Sequence, residues 1–294
     1  MIYLGLSIIC SAFLILFFKV FERHAVPVFQ GIVFNYWSAA ICGFIFLPAN
    51  SHVISSAAGV NPWLFLSVFL GMLFLNVFNL TGLVTLRFGV STSSVAYKLG
   101  LVFPVILAFA CYHEGLNWLK GAGICLALVA VVLSSIKESA PAGHSAVKGL
   151  AFLPYLLFIG SGACDSFTQF ANKRYLMTGG INEFVAMVFL SAAVTGTVIL
   201  LWQLYRGTSK LVWKSLVGGI ALGIPNYLAF IFILRALATL SWGSSVIFPV
   251  NNLGTVAVAS IVGFIVFKEK ISKVNLLGLA FAAVSIVCII LSNY

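Results

Sequence analysis

Apolar stretches of about 20 residues follow one another along almost the whole chain. They lie at residues 2–21, 29–48, 62–86, 92–111, 119–136, 149–171, 183–205, 213–234, 241–267 and 274–292. A helix of ~20 residues crosses the ~30 Å of hydrocarbon in a bilayer. With 62% hydrophobic residues, 7% charged residues and a mean hydropathy of +1.15, the composition excludes a soluble globular fold. The sequence therefore predicts an all-α polytopic membrane protein with ten transmembrane helices.

The same pattern occurs twice, at an offset of roughly 150 residues. Residues 38–43 read SAAICG and residues 191–196 read SAAVTG, while VFPV at 102–105 matches IFPV at 247–250. Collinear matches of this kind indicate duplication. We predict a first five-helix repeat at 1–136, a linker at 137–148 and a second five-helix repeat at 149–294. Because each half has an odd number of spans, the two repeats are expected to be inverted relative to each other.

The formal charge of +10 does not indicate nucleic-acid binding here, because the basic residues stand at the ends of apolar spans. If connections are numbered by the span they follow, most of the basic residues lie in odd-numbered connections. The even-numbered connections contain Lys120, Lys173, Arg174 and Arg235. The positive-inside rule then places the linker 137–148 in the cytoplasm and both termini outside, in a bacterial inner membrane.

Asp165 is the one acidic residue deep within a span, about 7 Å past the middle of the sixth. Ser161, Thr168, Gln169 and Asn172 fall on the same helical face, so the helix has one polar stripe. An ionised carboxylate at that depth is costly and usually faces a cavity or a partner. We interpret Asp165 as a substrate-facing or proton-carrying group; the alternative is a neutral acid that only ties helices together.

Lys98 is the basic counterpart, on the fourth span, and Ser94 shares its face. We interpret it as an anion-binding group or counter-ion, although a lysine at this depth can also extend to the interface. Its estimated depth differs from that of Asp165 by ~12 Å. The sequence therefore favours opposite ends of one cavity over a direct ion pair.

Uncharged polar residues add donors and acceptors to several spans. They are Asn35, Tyr36, Asn76, Asn79, Asn226, Tyr227, Asn251 and Asn252, with Tyr97 among the bordering aromatic residues. Each could simply hydrogen-bond between helices; together they predict a hydrated centre. Pro104, Pro225 and Pro249 fall inside spans, where a proline removes a backbone hydrogen bond. They are candidate hinges, or kinks with no role beyond shape.

An enzyme is not expected. His113-Glu114 lacks the second histidine of a zinc-protease helix, and the sequence around Asp165 is not the motif of an intramembrane aspartyl protease. No phosphate-binding loop or nucleophile elbow occurs in the sequence. We expect no cofactor and no metal, and coupling to a proton or another ion remains open.

The sequence resembles a known family in its arrangement of motifs. Pro104 precedes Glu114 and Gly123. In the second half, the corresponding segment FKEK at 267–270 precedes Gly278. With ten spans in two halves, this pattern is similar to the drug/metabolite transporter (DMT) superfamily, specifically its EamA-type branch, over essentially the whole chain.

The resemblance implies two inverted repeats around a central cavity lined mainly by spans 1, 3, 4, 6, 8 and 9. Asp165, Lys98, Asn251 and Asn252 would then lie on lining spans. Two features depart from the family. Familiar members keep both termini in the cytoplasm, whereas the charge count predicts them outside. A lysine in the fourth span is not a general feature, so Lys98 is expected to mark a subgroup with its own substrate.

The functional hypothesis is a secondary active transporter, an exporter or exchanger, for a small polar or amphipathic metabolite. Without an ATPase motif, a gradient must supply the energy. One alternative is a flippase-like carrier of a lipid-linked intermediate, and another is a membrane receptor or assembly subunit that transports nothing. A monomer and a homodimer are both compatible with internal duplication.

Overall fold

The computed structural model describes residues 1–24, 26–48, 62–115, 117–135, 150, 152–177, 180–267 and 272–292. These residues form α-helices and one π-helical turn, with no strand among them. The helices are α1 (Ile2–Arg23), α2 (Val28–Ile45), α3 (Pro62–Leu99), α4 (Val102–Ala110), α5 (Trp118–Ser135), α6 (Leu153–Ala171), α7 (Ile181–Tyr205), α8 (Trp213–Thr239), α9 (Ser244–Phe267) and α10 (Lys273–Leu291). The π-helical turn Asn172–Leu176 continues α6. The predicted linker 137–148 lies outside the described residues.

Helix α3 contains a reversal of the chain. Ser93 Oγ donates a hydrogen bond of 3.1 Å to the Thr81 carbonyl, and Val84 and Ala96 pack in one apolar cluster. A straight helix would separate residues 81 and 93 by ~18 Å. The helix therefore folds back on itself, and two membrane-length segments follow, Pro62–Thr85 and Thr92–Ala110.

Seven segments are long and apolar enough to cross a membrane. They are Val28–Ile45, Pro62–Thr85, Thr92–Ala110, Ile181–Tyr205, Trp213–Thr239, Ser244–Val266 and Lys273–Leu291. Ile2–Phe17 and Trp118–Leu133 are apolar but shorter. Helix α6 is not among the seven; its sequence carries Asp165, Gln169 and several small polar residues, which lower its hydropathy. The described fold is thus all-helical and compatible with a membrane-embedded protein. Seven of the ten predicted spans are long and apolar enough to cross a membrane.

The two halves of the chain interleave. Helix α1 packs on α8 and α9, while α6 packs on α3 and α4. Helix α2 contacts α7 and α8, and α3 also contacts α7, which brings Tyr36, Phe184 and Phe189 into the main apolar core. Helix α5 packs along α10.

Contacts near helix ends join even-numbered connections to one another. Asn182 donates to the Phe46 carbonyl at 2.9 Å, and Arg235 donates to Asn182 Oδ1 at 3.2 Å. Asn117, in the fourth connection, donates to the Ser292 carbonyl at the C-terminal end of α10 at 2.9 Å. We call this end of the bundle the even end.

At the other end, the first connection meets the seventh. Gln30, in the first turn of α2, donates to Ser209 Oγ at 2.8 Å and to the Lys210 carbonyl at 2.7 Å. The Val212 backbone N–H donates back to Gln30 Oε1 at 3.1 Å. We call this the odd end.

Two of the three prolines lie in helix interiors, beyond the first turn, as predicted: Pro225 in α8 and Pro249 in α9. Pro104 does not. The chain breaks after Leu99, where Gly100 and Leu101 form tight turns onto the Tyr97 and Lys98 carbonyls, and α4 begins at Val102. Pro104 occupies the first turn of this new helix, where a missing N–H costs little. The predicted loss of a mid-span hydrogen bond at Pro104 is therefore wrong.

Candidate functional site

Asp165 and Lys98 lie close to each other in the structure. Lys98 is 8% exposed and sits in the last turn of α3, within electrostatic range of the half-buried Asp165 on α6. The approach depends on Gly100, where an added Cβ would lie 2.7 Å from the Gly162 backbone nitrogen. The difference in depth of ~12 Å estimated from the sequence stays a prediction.

The two charged groups do not form a direct ion pair. In the part of the chain that the structure describes, the ion pair within 4.0 Å joins Lys173 to Glu114. Asp165 and Lys98 thus act on each other over a distance longer than that of an ion pair.

Two tyrosines and a cysteine complete this set, which we call the Asp165 cluster: Tyr36, Tyr97, Lys98, Cys164 and Asp165. Tyr36 lies within electrostatic range of Cys164 and Tyr97, and Tyr97 of Asp165. The Tyr36 ring packs on Phe78 and Phe189, while its hydroxyl is buried without a hydrogen-bond partner. A buried hydroxyl with no partner is costly, so this atom is available to a ligand or a water molecule.

The uncharged candidates do not gather in one place. Asn226 on α8 donates to Asn35 Oδ1 on α2 at 3.2 Å, which is an interhelical bond. The buried Tyr227 stacks on Phe46 near the even end.

The asparagines of α3 and α9 differ in their surroundings. Asn76 is exposed and donates to the Met72 carbonyl of its own helix at 2.8 Å, while Asn79 is half-buried. Asn251 and Asn252 are half-buried on α9, and Asn251 Oδ1 is buried without a partner. Ser94 is half-buried one turn before Lys98. Asn251 is thus the member of this group with an unused acceptor.

Two surface hollows lie away from these residues. One is beside Val198 and Tyr205 on α7, and the other is a groove of about 300 Å³ between α1 and α8. Among the described residues, buried side-chain polar atoms without a hydrogen-bond partner occur on Asn35, Tyr36, Gln169, Ser215 and Asn251.

Glu114 forms a second polar cluster, at the even end. Its Oε1 accepts from the Ser244 backbone N–H at 2.9 Å and from Ser244 Oγ at 2.6 Å. Its Oε2 accepts from the Ser245 backbone N–H at 3.1 Å and from Ser245 Oγ at 2.6 Å. The carboxylate thus satisfies free N–H groups at the start of α9, where the helix dipole also favours negative charge. Gly243 leaves the space, since a Cβ there would lie 2.6 Å from Glu114 Cδ.

Helix α6 and its π-helical turn also reach this site. Lys173 Nζ lies 3.6 Å from Glu114 Oε1 and 5.5 Å from the centre of the Tyr112 ring. Gln169 donates a hydrogen bond to Ser244 Oγ. We call Glu114, Gln169, Lys173, Ser244 and Ser245 the Glu114 cluster; it joins the end of α4, the end of α6 and the start of α9.

The Glu114 side chain is ionised in this setting. Burial acts to raise the pKa of its carboxyl, but the hydrogen bonds from Ser244 and Ser245 outweigh burial and lower the pKa below the ordinary value. The Glu114 side chain therefore carries a full negative charge at neutral pH, beside the Lys173 ammonium.

Sequence reasoning missed the Glu114 cluster. It treated Glu114 as a span end, and it ended the polar stripe of α6 at Asn172, one residue before Lys173. A signal was present, because Gly243-Ser244-Ser245 ahead of an apolar run is typical of a helix N-terminus that attracts an acidic partner.

Comparison with known proteins supports the fold and leaves the function open. No family model matches the chain. An uncharacterized protein of Haemophilus influenzae is 28% identical over 290 residues, which cover 96% of this chain and 95% of that protein. A solved structure described only as the crystal structure of a protein has a TM-score of 0.75 at 16% identity, and covers 99% of this chain and 96% of the other. The chain therefore shares its fold with a solved structure over nearly its whole length.

Proposed function

We propose that this chain is a secondary active transporter of the EamA-type branch of the DMT superfamily, an exporter or exchanger for a small polar or amphipathic metabolite. The observation that carries the proposal is the Asp165 cluster. A carboxylate and a lysine lie within electrostatic range of each other inside an apolar helical bundle, beside a tyrosine hydroxyl that has no partner. Charged groups at such depth are costly and usually mark a substrate or ion pathway.

The packing pattern supports ten spans in two inverted repeats. The inverted repeat exchanges each helix with the one five places away in chain order, so α1 is exchanged with α6 and α8 with α3. Under this exchange the contact of α1 with α8 corresponds to the contact of α6 with α3. In the same way α1 with α9 becomes α6 with α4, and α2 with α8 becomes α7 with α3. The pairs α2 with α7, α4 with α9 and α5 with α10 map onto themselves. A duplicated chain with a two-fold axis in the membrane plane has this property.

The contacts at the two ends support the same topology. At the even end, even-numbered connections meet one another and the C-terminal end of α10, and at the odd end the first connection meets the seventh. This is expected if every span crosses the membrane. With the excess of lysine and arginine in odd-numbered connections, the odd end is cytoplasmic and both termini are outside, in a bacterial inner membrane.

In this proposal Asp165 carries the coupling proton or binds a cationic group, and Lys98 binds an anionic group. Tyr36 supplies a hydrogen bond to the bound molecule. Binding between them replaces water around both charges, and movement of one repeat against the other then changes the face from which the site is reached.

A thermal-stability screen of the purified protein tests the proposal. Amino acids, nucleotides, sugars, organic acids and lipid-linked precursors are added in turn, because a ligand stabilises the folded state by RT ln(1 + [L]/Kd). We expect a soluble metabolite to raise the melting temperature of the parent protein but not of Asp165→Asn or Lys98→Gln. Stabilisation by lipid-linked precursors alone would replace the metabolite transporter by the flippase alternative.

Transport itself is measured by counterflow in vesicles. Vesicles that are preloaded with the stabilising compound should take up its labelled form transiently against its gradient. The absence of counterflow, with binding intact, would indicate a receptor or assembly subunit instead.

A further inference from the structure

The Glu114 cluster and the Asp165 cluster are joined by a single helix. Asp165, Gln169 and Lys173 lie at positions i, i+4 and i+8 of α6 and its π-helical continuation. Residues four apart stack on one helical face, so the three side chains form one continuous row. Asp165 belongs to the central cluster, whereas Gln169 and Lys173 bind Ser244 and Glu114 at the even end.

The Glu114 cluster also joins the two halves of the chain. Glu114 follows α4 in the first half, while Ser244 and Ser245 begin α9 in the second half, 130 and 131 residues later. Asn251 follows Ser244 by seven residues on α9, which is about two turns, so both residues lie on the same face of the helix. The cluster therefore lies between the even-end solvent and the unpartnered acceptor of Asn251.

We propose that Glu114, Lys173 and Gln169 are gating residues of the transport cycle: the Glu114 cluster closes the even end of the substrate path and has to separate for the path to open there. This rests on the transport function proposed above. The hydrogen bonds and the ion pair hold α4 and α6 against α9 in the closed state, and the opening motion exchanges them for water.

Helix α6 connects the gate to the proposed binding site at the Asp165 cluster. A molecule that binds Asp165 acts on the same rigid row that carries Gln169 and Lys173. The π-helical turn sits at the end of this row, and such turns occur frequently at functional sites. Occupancy of the Asp165 cluster is thereby transmitted to the even end.

Cysteine labelling tests the gate without any substrate. The reporter is Asn251→Cys in a full-length chain whose six native cysteines, all free, are replaced by alanine. A membrane-impermeant thiol reagent is applied separately to each face of the membrane, in intact cells and in inverted vesicles. The gate variant is Glu114→Gln, which keeps the shape but places an NH₂ group against N–H and O–H donors. The matched control is Glu183→Gln, a carboxylate in the first turn of α7 at the same end of the bundle.

We expect Glu114→Gln to raise the labelling rate of Asn251→Cys at least about tenfold from one face only, the even-end face, since it removes several charge-assisted hydrogen bonds. Glu183→Gln should leave the rate unchanged. An unchanged rate in Glu114→Gln overturns the proposal, and so does an equal rise from both faces or in the control.

Lys173→Gln provides a second, milder variant if Glu114→Gln does not fold. It keeps the bonds from Ser244 and Ser245 and removes only the ion pair, so we expect a rise of about two- to threefold from the even-end face. No rise in a folded Lys173→Gln protein then rejects the gate. Labelling needs no ligand, and the thermal screen needs no gate. Each proposal can therefore fail separately.

Discussion

Ser93 Oγ donates to the Thr81 carbonyl at 3.1 Å, although the two residues are twelve positions apart on what is locally continuous helix. The chain must reverse between them, so that Pro62–Thr85 and Thr92–Ala110 run in opposite directions. We expect Arg87→Cys, near the reversal, and Trp118→Cys, which is 82% exposed at the start of α5, to be labelled from opposite faces of the membrane. An impermeant reagent on cells and inverted vesicles checks this, and labelling from one common face would contradict the proposed topology.

Asp165→Asn should abolish gradient-driven accumulation of the transported molecule while exchange continues. The amide has nearly the shape of the acid but cannot carry a proton at neutral pH. Accumulation and counterflow in the same vesicles separate the two activities. Ser166→Ala, one residue along α6 and off the polar row, is the control and should retain both; normal accumulation by Asp165→Asn would remove its coupling role.

Lys98→Gln should weaken anionic ligands about tenfold or more, because a charged hydrogen bond of about 1.5–3 kcal/mol is lost. Ligands without an anionic group should bind with nearly unchanged affinity. Ligand-dependent shifts of the melting temperature over a concentration series give both values. Equal affinity of the variant and the parent protein for anionic ligands would exclude a role for Lys98 in recognition.

Gly71 lies where α3 meets α7, and an added Cβ would press on the Val188 carbonyl oxygen and lie 2.9 Å from Ser191 Cβ. We expect Gly71→Ala to lower the free energy of unfolding by about 1–3 kcal/mol through overpacking. Gly82→Ala is the matched control, since its nearest neighbour would be Val28 Cγ1 at 3.7 Å, an ordinary contact. Thermal melting in one detergent compares the two, and equal melting temperatures would show that α3 and α7 do not approach this closely.

Glu114 predicts a pH-dependent contribution to stability. Burial acts to raise the pKa of this carboxyl and the hydrogen bonds from Ser244 and Ser245 lower it; the net pKa is below the ordinary 4.5. A lowered folded pKa means that the stabilisation is complete above the unfolded pKa and is lost as pH falls through the folded pKa.

The charged groups that face Glu114 are Lys173 and Lys120. The parent protein should therefore melt about 2–4 °C above Glu114→Gln at pH 7, and the gap should close as pH falls below about 4. A gap that widens on acidification would contradict this assignment.

Much of the helical arrangement could be predicted from sequence because length and apolar composition are local properties. Helix α7 was expected at 183–205 and spans Ile181–Tyr205; α10 was expected at 274–292 and spans Lys273–Leu291. The break between α3 and α4 was not predicted. At this break Gly100 lies against Gly162, a contact between residues from different halves of the chain, which no local pattern contains.

Some residues of the candidate site could likewise be predicted from the sequence, and others could not. Asp165 and Lys98 stood out because a charge within an apolar span is conspicuous at the level of composition. Glu114 did not, since its partners begin another helix 130 residues later. Gln169 was identified, but its partner Ser244 could not be, because a helical stripe shows which residues share a face and not what that face contacts.

The interleaving of the two halves has a consequence for biosynthesis. Helix α1 packs mainly on α8, and α2 packs on α7 and α8. Both α7 and α8 are synthesised after α1 and α2. In the proposed ten-span topology, the first five helices thus enter the bilayer with these faces covered by lipid, and final assembly waits for the second half. A chain split within the linker 137–148 should accordingly need both fragments in the same membrane, and neither fragment alone should resist proteolysis.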